Sequence, residues 1–297
     1  MLAAKDRGHT SKDHGFLSDG VKLVGRLYRP QVEPAPVIVM AHGFSGAAEQ
    51  LDAHACRFVA AGFAVFVFDH PGFGRSGGWP RQEVDPQKQI AAYRDAISAV
   101  SDLAAVRAEA IGIWGTSFSG GHVLATAAVD RRVKAAVAQV PFISGSKLMA
   151  GRTDAAALRA LCAADKERRA GGAAPAVMPV TSDGSAPCAL PGADAHAYFA
   201  STAGSQWINS VTLSTFDHIA AYEPAAAIAA IAPTPLLMII ATEDAVAPVA
   251  HAREAFAAAG EPKHLVEISG GHFDVYSGAK FERAVGAAIA FFEKYLV

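Results

Sequence analysis

A chain of 297 residues that is 52% hydrophobic and 18% charged holds enough apolar material for one large core, which excludes a disordered chain. Its formal net charge of −2 provides no basic field for nucleic acid or an anionic membrane, so a small-molecule partner is expected. Cys56, Cys162 and Cys188 are widely spaced, odd in number and without C-x-x-C pairing, which fits a reducing, cytoplasmic setting with neither a disulfide framework nor structural zinc.

The N-terminal stretch MLAAKDRGHTSKDHG carries charges where a signal peptide needs an apolar core, so residues 1–15 are expected to be a flexible polar tail. Residues 16–29, FLSDGVKLVGRLYR, alternate apolar and polar positions about Asp19-Gly20 and predict an antiparallel hairpin. Four continuous apolar runs follow: VIVMA at 37–41, AVFVFD at 64–69, AIGIWG at 110–115 and VKAAVAQV at 133–140. Such runs suit strands covered on both faces of a mostly parallel sheet. Between them Ile90, Tyr93, Ile97, Val100 and Leu103 recur at helical spacing and predict a crossover helix over 86–103.

The alternation breaks over residues 142–230, where helical stretches flank a Gly/Pro/Ser-rich loop at 171–194. It resumes with PLLMIIA at 235–241, a helix near 248–259, HLVEIS at 264–269 and a last helix at 280–296. The uncharged run at 224–242 is long enough to cross a bilayer, but Pro233 and Pro235 cut it, so it reads as an Ala-rich helix, a break and a buried strand. The expected fold is therefore α/β: a core of residues 16–141 and 231–297 with helices on both faces of the sheet, and an insertion at 142–230.

Residues 113–123, IWGTSFSGGHV, pass from an apolar strand through two serines into a glycine pair. A serine at an abrupt strand-to-helix turn has its Oγ pushed out over the sheet edge, beside helix N-terminal N–H groups that favour a developing oxyanion. The tightness of that turn demands small residues two before and two after. Ser117 has Gly115 before it and Ser119 after it, where the usual G-x-S-x-G has a second glycine. Ser119 as the nucleophile would lie inside the helix and is the second choice. Neither G-x-x-x-x-G-K-[ST] nor G-x-G-x-x-G fits the stretch.

A serine hydroxyl needs a base, and the base needs an orienting acid. In the order Ser, acid, His, the run PLLMIIATEDAVAP supplies Glu243 and Asp244 at a strand end, with Asp244 preferred. HLVEISGGHF supplies His272 on a glycine-rich loop after the next strand. His122, His251 and His264 read instead as surface or core histidines. VIVMAHGFSG ends a strand in His42-Gly43-Phe44, which pairs the Phe44 and Phe118 N–H groups as an oxyanion hole and leaves His42 as a support of its loop. In FDHPGFGRSGG, Asp69, Arg75 and Ser76 read as parts of a structural turn. No metal-ligand spacing is present.

Together HGFSG, DHPGFGRSGG, GTSFSGGHV, ATEDAVAP and GGHFDVY resemble the α/β-hydrolase superfamily. More narrowly, GTSFSGGHV with GGHFDVY is similar to hydrolases grouped with fungal polyketide transferases, kin of the Xaa-Pro dipeptidyl-peptidase-like hydrolases. The resemblance implies an α/β-hydrolase fold whose residues 142–230 form a helical cap. It implies Ser117 as nucleophile, His272 as base and Asp244 as orienter, acting without a cofactor on an ester, thioester or related acyl bond of a small molecule. Phe142, Phe199, Trp207 and Phe216 are then candidates to line an acyl pocket, with the cap's own core as their alternative use. Acyl transfer with the same triad is the second functional reading, and a non-catalytic binding protein the third; a dimer is compatible with any of them.

Overall fold

The computed structural model describes residues 10–202 and 206–297. In chain order the strands are β1 (Thr10–Ser18), β2 (Val21–Arg29), β3 (Ala35–Ala41), β4 (Ala64–Phe68), β5 (Val106–Thr116), β6 (Val133–Gln139), β7 (Val177–Met178), β8 (Val211–Thr212), β9 (Leu236–Ala241) and β10 (Lys263–Ile268). The α-helices are α1 (Asp52–Ala60), α2 (Pro86–Ser101), α3 (Phe118–Val129), α4 (Gly145–Gly151), α5 (Ala155–Ala170), α6 (Ala193–Ser201), α7 (Ser214–Ala220), α8 (Val249–Ala258) and α9 (Gly278–Leu296).

Among the described residues the main sheet runs β1-β2-β4-β3-β5-β6-β9-β10. The β1–β2 hairpin and the β2–β4 pair are antiparallel, and the strands from β4 to β10 are parallel to one another. The continuous apolar runs account for this: every residue of β3, β4 and β9 is buried, because helices cover both faces. Val37 and Val39 point to the side of α2, α3 and α8 and join the apolar cluster that also holds Ile97, Leu124 and Ala255. Ile38 and Met40 point to the side of α1 and α9, where they meet Phe58 and Phe292. The fold is the α/β-hydrolase arrangement expected from the sequence.

Between β6 and β9 the chain leaves the sheet, forms α4 to α7 and the small β7–β8 pair, and builds a third apolar cluster around Leu158, Val180, Phe199 and Phe216, which Phe73, Val84 and Phe118 of the core join. The Gly/Pro/Ser-rich loop is held at several points. Asp165 accepts from the Ala176 N–H at 2.8 Å, and Thr181 exchanges two 3.0 Å bonds with the Asn209 side chain.

One local expectation needs correction. Residues 10–15 are not a tail: they form most of β1, in register from Thr10 opposite Arg29 to Ser18 opposite Val21. Pairing satisfies the backbone whatever the side chains, and Asp13 ties the strand down by bonding Arg26 at 2.9 Å and Arg75 at 2.6 Å. Residues 1–9 lie outside the described residues. The Ala-rich stretch at Pro224–Ile231 is helical as expected, in the 3₁₀ form, and leads into the buried strand β9. Among the described residues no helix is long and apolar enough to cross a membrane.

Candidate active site

Strand β5 turns into α3 at Ser117, whose backbone has φ 56° and ψ −121°. A positive φ on a non-glycine residue costs on the order of 1–3 kcal/mol and persists only where its surroundings enforce it. Here they do. The Ser117 N–H donates to Gln139 O at 2.9 Å, and the Ser117 carbonyl accepts from the Phe142 N–H at 2.9 Å. A Cβ at Gly115 would lie 2.3 Å from Ser119 O, and one at Gly120 would lie 2.8 Å from Pro141 Cα, so the turn closes only with glycine at both places.

Three loops at the C-terminal ends of strands converge on this point. The Ser117 Oγ lies 3.0 Å from His272 Nε2, and His272 Nδ1 lies 2.7 Å from Asp244 Oδ2. Asp244 and His272 are buried, and the second Asp244 oxygen accepts from the Val246 and Ala247 N–H groups at 2.9 and 2.8 Å. A carboxylate so engaged only accepts, so His272 Nδ1 carries the proton and Nε2 is left to accept from Ser117. Glu243 is exposed, and its N–H is bound to Gly270 O at 2.8 Å. Of the two adjacent acids, Asp244 alone meets the histidine.

Phe118 is the first residue of α3, so its N–H is one of the helix's orphan donors. The loop after β3 presses on the same point: a Cβ at Gly43 would lie 3.1 Å from Ser117 Cβ. Phe44 follows at once, its ring 6.0 Å from that of Phe118. Ser117, His272, Phe44 and Phe118 all lie in the wall of a cavity of about 940 Å³. Phe142, Phe199 and Phe216 line it too, together with Met149 and Ile219 from α4 and α7. Trp207 is not among the lining residues; it stacks on Phe199 at 4.8 Å and buttresses the wall. Next to the serine, the Thr116 hydroxyl is 2.7 Å from that of Tyr276.

Beneath the serine is a polar layer in which the sequence marked His42 only as a support of its loop and His122 only as a surface or core histidine, and did not mark His70 at all. His42, His70 and His122 are buried with their rings edge to face, His70 lying 4.7 Å from His42 and 5.5 Å from His122. Burial pushes His122 down to about 3 and His42 below its ordinary value. Burial, then the neighbouring histidines, holds His70 well below its own. His122 Nε2–H donates to Gln89 at 2.8 Å and its Nδ1 accepts from Tyr222 at 2.8 Å. One sequence signal was there to find: AHG and DHPG each follow a strand, and the Ala41–Phe68 pairing of β3 with β4 brings His42 and His70 close.

The turn residues behave as structural parts. Asp69 accepts from the Ala48 N–H at 2.7 Å and the Arg75 N–H at 3.1 Å, while Ser76 donates to Asp69 O at 2.6 Å. His264 bonds Tyr295 at 2.9 Å on the outer strand, whereas His251 lines the cavity at the start of α8.

The sequence pattern of the X-Pro dipeptidyl-peptidase (S15 family) matches residues 19–274. The chain belongs to that family. The quorum-quenching protein AidA of Acinetobacter baumannii is 36% identical over 293 residues, covering 95% of this chain and 94% of that protein. Thiohydrolase aneE of Aspergillus aculeatus is 32% identical, covering 94% of this chain and 91% of that one. The crystal structure of the alpha/beta hydrolase GrgF from Penicillium has a TM-score of 0.85 at 26% identity, covering 97% of this chain and 99% of its own. The polyketide transferase grgF is 29% identical by sequence, covering 86% of this chain and 87% of that protein. This S15-family chain therefore stands among hydrolases and acyl-transfer enzymes of the α/β-hydrolase fold.

Proposed function

We propose that the chain is a serine hydrolase that cleaves an ester or thioester of a small molecule through an acyl-enzyme. The observation that carries this reading is the hydrogen-bonded line from Ser117 through His272 to Asp244, with steps of 3.0 and 2.7 Å, set in the cavity wall. Ser117 Oγ attacks the acyl carbonyl as its proton passes to His272 Nε2, and the Asp244 carboxylate stabilises the imidazolium that forms. The Phe44 and Phe118 N–H groups receive the oxyanion. His272 returns the proton to the departing alkoxide or thiolate. It then takes a proton from the water that attacks the acyl-enzyme and passes it to Ser117 Oγ as the acyl–Oγ bond breaks, which releases the acid and restores Ser117 and neutral His272.

Phe142, Phe199 and Phe216 form the acyl wall in this reading, and residues 142–230 act as a cap that excludes water from it. Ser117→Ala is expected to fold normally, to lose turnover of p-nitrophenyl esters and acyl thioesters, and to lose labelling by a fluorophosphonate probe. Full activity in that variant ends the reading.

Acyl transfer is the second reading. It is favoured by the size of the cavity, about 940 Å³, which leaves room for an alcohol, amine or thiol beside an acyl group. Adding such acceptors and finding a conjugated product by mass spectrometry selects transfer; free acid alone selects hydrolysis. A wild-type chain that neither turns over any acyl compound nor takes up the probe points to a binding protein.

A further inference from the structure

An oxyanion hole needs two N–H donors held at fixed places, and here they come from unrelated parts of the chain. The Phe118 donor follows the nucleophile directly, so the elbow places it. The Phe44 donor sits on the irregular loop between β3 and α1, which includes Ser45 at φ 54°. A loop brings conformational freedom, and a misplacement of about 1 Å at a reacting centre costs on the order of 10²-fold in rate. Something must tie the second donor to the first.

Ser119 does so. Its hydroxyl donates to His42 O at 2.5 Å, which joins the elbow directly to the root of the Phe44 loop. The same oxygen accepts from His70 Nε2–H at 2.9 Å, so the hydroxyl hydrogen is left to point at His42. The ring closes through the His70 N–H, which donates to His42 Nε2 at 3.2 Å. His42 Nδ1–H then reaches Gly43 O at 3.0 Å, one residue before Phe44. All three side chains are buried at 0–1% exposure, where such bonds are strong and solvent does not compete. A glycine at 119, as in G-x-S-x-G, has no atom with which to make either Ser119 bond.

We propose that Ser119, His42 and His70 form a positioning unit that presets the oxyanion hole by fastening the Phe44 loop to the nucleophile elbow. This rests on the serine-hydrolase reading. Their hydrogen bonds run to one another and to the Gly43 carbonyl rather than to Ser117, His272 or Asp244, so they act through Phe44 and Phe118.

The test compares Ser119→Ala, Ser119→Cys and His70→Gln with wild type, each assayed well below its own Tm. Two readouts are taken: kcat and KM for an acyl ester, and the affinity of a trifluoromethyl ketone, which Ser117 converts to a hemiketal oxyanion. Ser119→Ala is expected to lower kcat about 10-fold or more with KM within about twofold, and to weaken ketone binding by the same factor. Ser119→Cys, which keeps a weak donor, falls between it and wild type. His70→Gln supplies an independent arm should Ser119→Ala not fold, and is expected to lose less than Ser119→Ala. In the double variant the losses do not multiply, because one unit is being removed twice.

Variants that keep kcat and ketone affinity within twofold of wild type overturn the proposal, even where Tm falls. A loss confined to KM overturns it as well. A wild type that shows neither turnover nor fluorophosphonate labelling overturns the hydrolase reading, and this proposal with it.

Discussion

Gly115 and Ser119 meet backbone to backbone across the elbow, so closely that a Cβ on residue 115 would fall 2.3 Å from the Ser119 carbonyl oxygen and 2.7 Å from its carbon. No rotamer relieves a clash with main chain. Gly115→Ala is expected to cost about 3 kcal/mol or more. Its urea midpoint should drop well below wild type, and the surviving folded fraction should turn over esters poorly. A variant as stable and as active as wild type would mean that the turn is more open than described.

Asp244→Asn keeps the size of the side chain but replaces an acceptor-only carboxylate with an amide. His272 then loses the partner that fixes its Nδ1 proton and stabilises its charged form. The expected fall in kcat is about 10²- to 10⁴-fold, with KM little changed. Glu243→Gln, at an exposed carboxylate, should stay within about twofold. Steady-state kinetics on one ester separates the two; equal losses would remove the special role of Asp244.

Acid should unfold this protein through its histidines as well as its carboxylates. Burial depresses His42, His54, His70 and His122, with His54 and His122 at about 3 against an ordinary 6.5. Their stabilisation is complete above pH 6.5, where both states are neutral, and is lost as pH falls and the unfolded chain takes up protons that the folded one refuses. For His54 and His122, whose folded values lie well below 6.5, the slope approaches about 1.4 kcal/mol per pH unit between the two values. His54 gives the cleanest check, since neither ring nitrogen has a hydrogen-bond partner and the ring packs 4.7 Å from Trp114 and 4.8 Å from Phe281. His54→Phe should stabilise by about 1 kcal/mol at pH 7 and reduce the slope between pH 6 and 4, both read from urea titrations. An unchanged slope would show that His54 takes up its proton without unfolding.

Cavity shape should govern chain length. Met149→Trp places an indole where a flexible thioether now lines the space, so kcat/KM for long acyl esters should fall about 10-fold or more while an acetyl ester is nearly unaffected. Phe199→Ala should raise KM for the same long esters. Trp207→Phe, which keeps a ring behind Phe199, should leave KM within about twofold. A graded ester panel measures all three.

The alternating strands and helices were legible because burial on both faces leaves a continuous apolar run, and β3, β4 and β9 carry such runs without interruption. Ser117, Asp244 and His272 were legible because each closes a strand, where loops project from the sheet edge. What failed to show lies where hydrogen bonding outranks hydropathy. β1 is polar and exposed over most of its length, yet its backbone pairs along all nine residues. Val177 and Met178 read as loop because a two-residue strand has no periodicity to detect. The Ser119–His42–His70 ring was hidden because its members sit on three separate segments, and the bond angles that unite them are set by the fold. Trp207 looked like a pocket residue because an aromatic wall and the ring supporting it have the same composition.

The Phe118 side chain has a consequence for engineering. It springs from the elbow, yet it packs with the insertion's apolar cluster, 4.9 Å from the Phe142 ring and 5.4 Å from Tyr222. The segment that lines much of the pocket is thus bolted to the residue that follows Ser117 and that the proposed mechanism uses as an oxyanion donor. Exchanging residues 142–230 for the matching stretch of a relative would transplant selectivity only if the graft also carried rings to receive Phe118. Without them, the recipient would trade its old specificity for a loosened reaction centre.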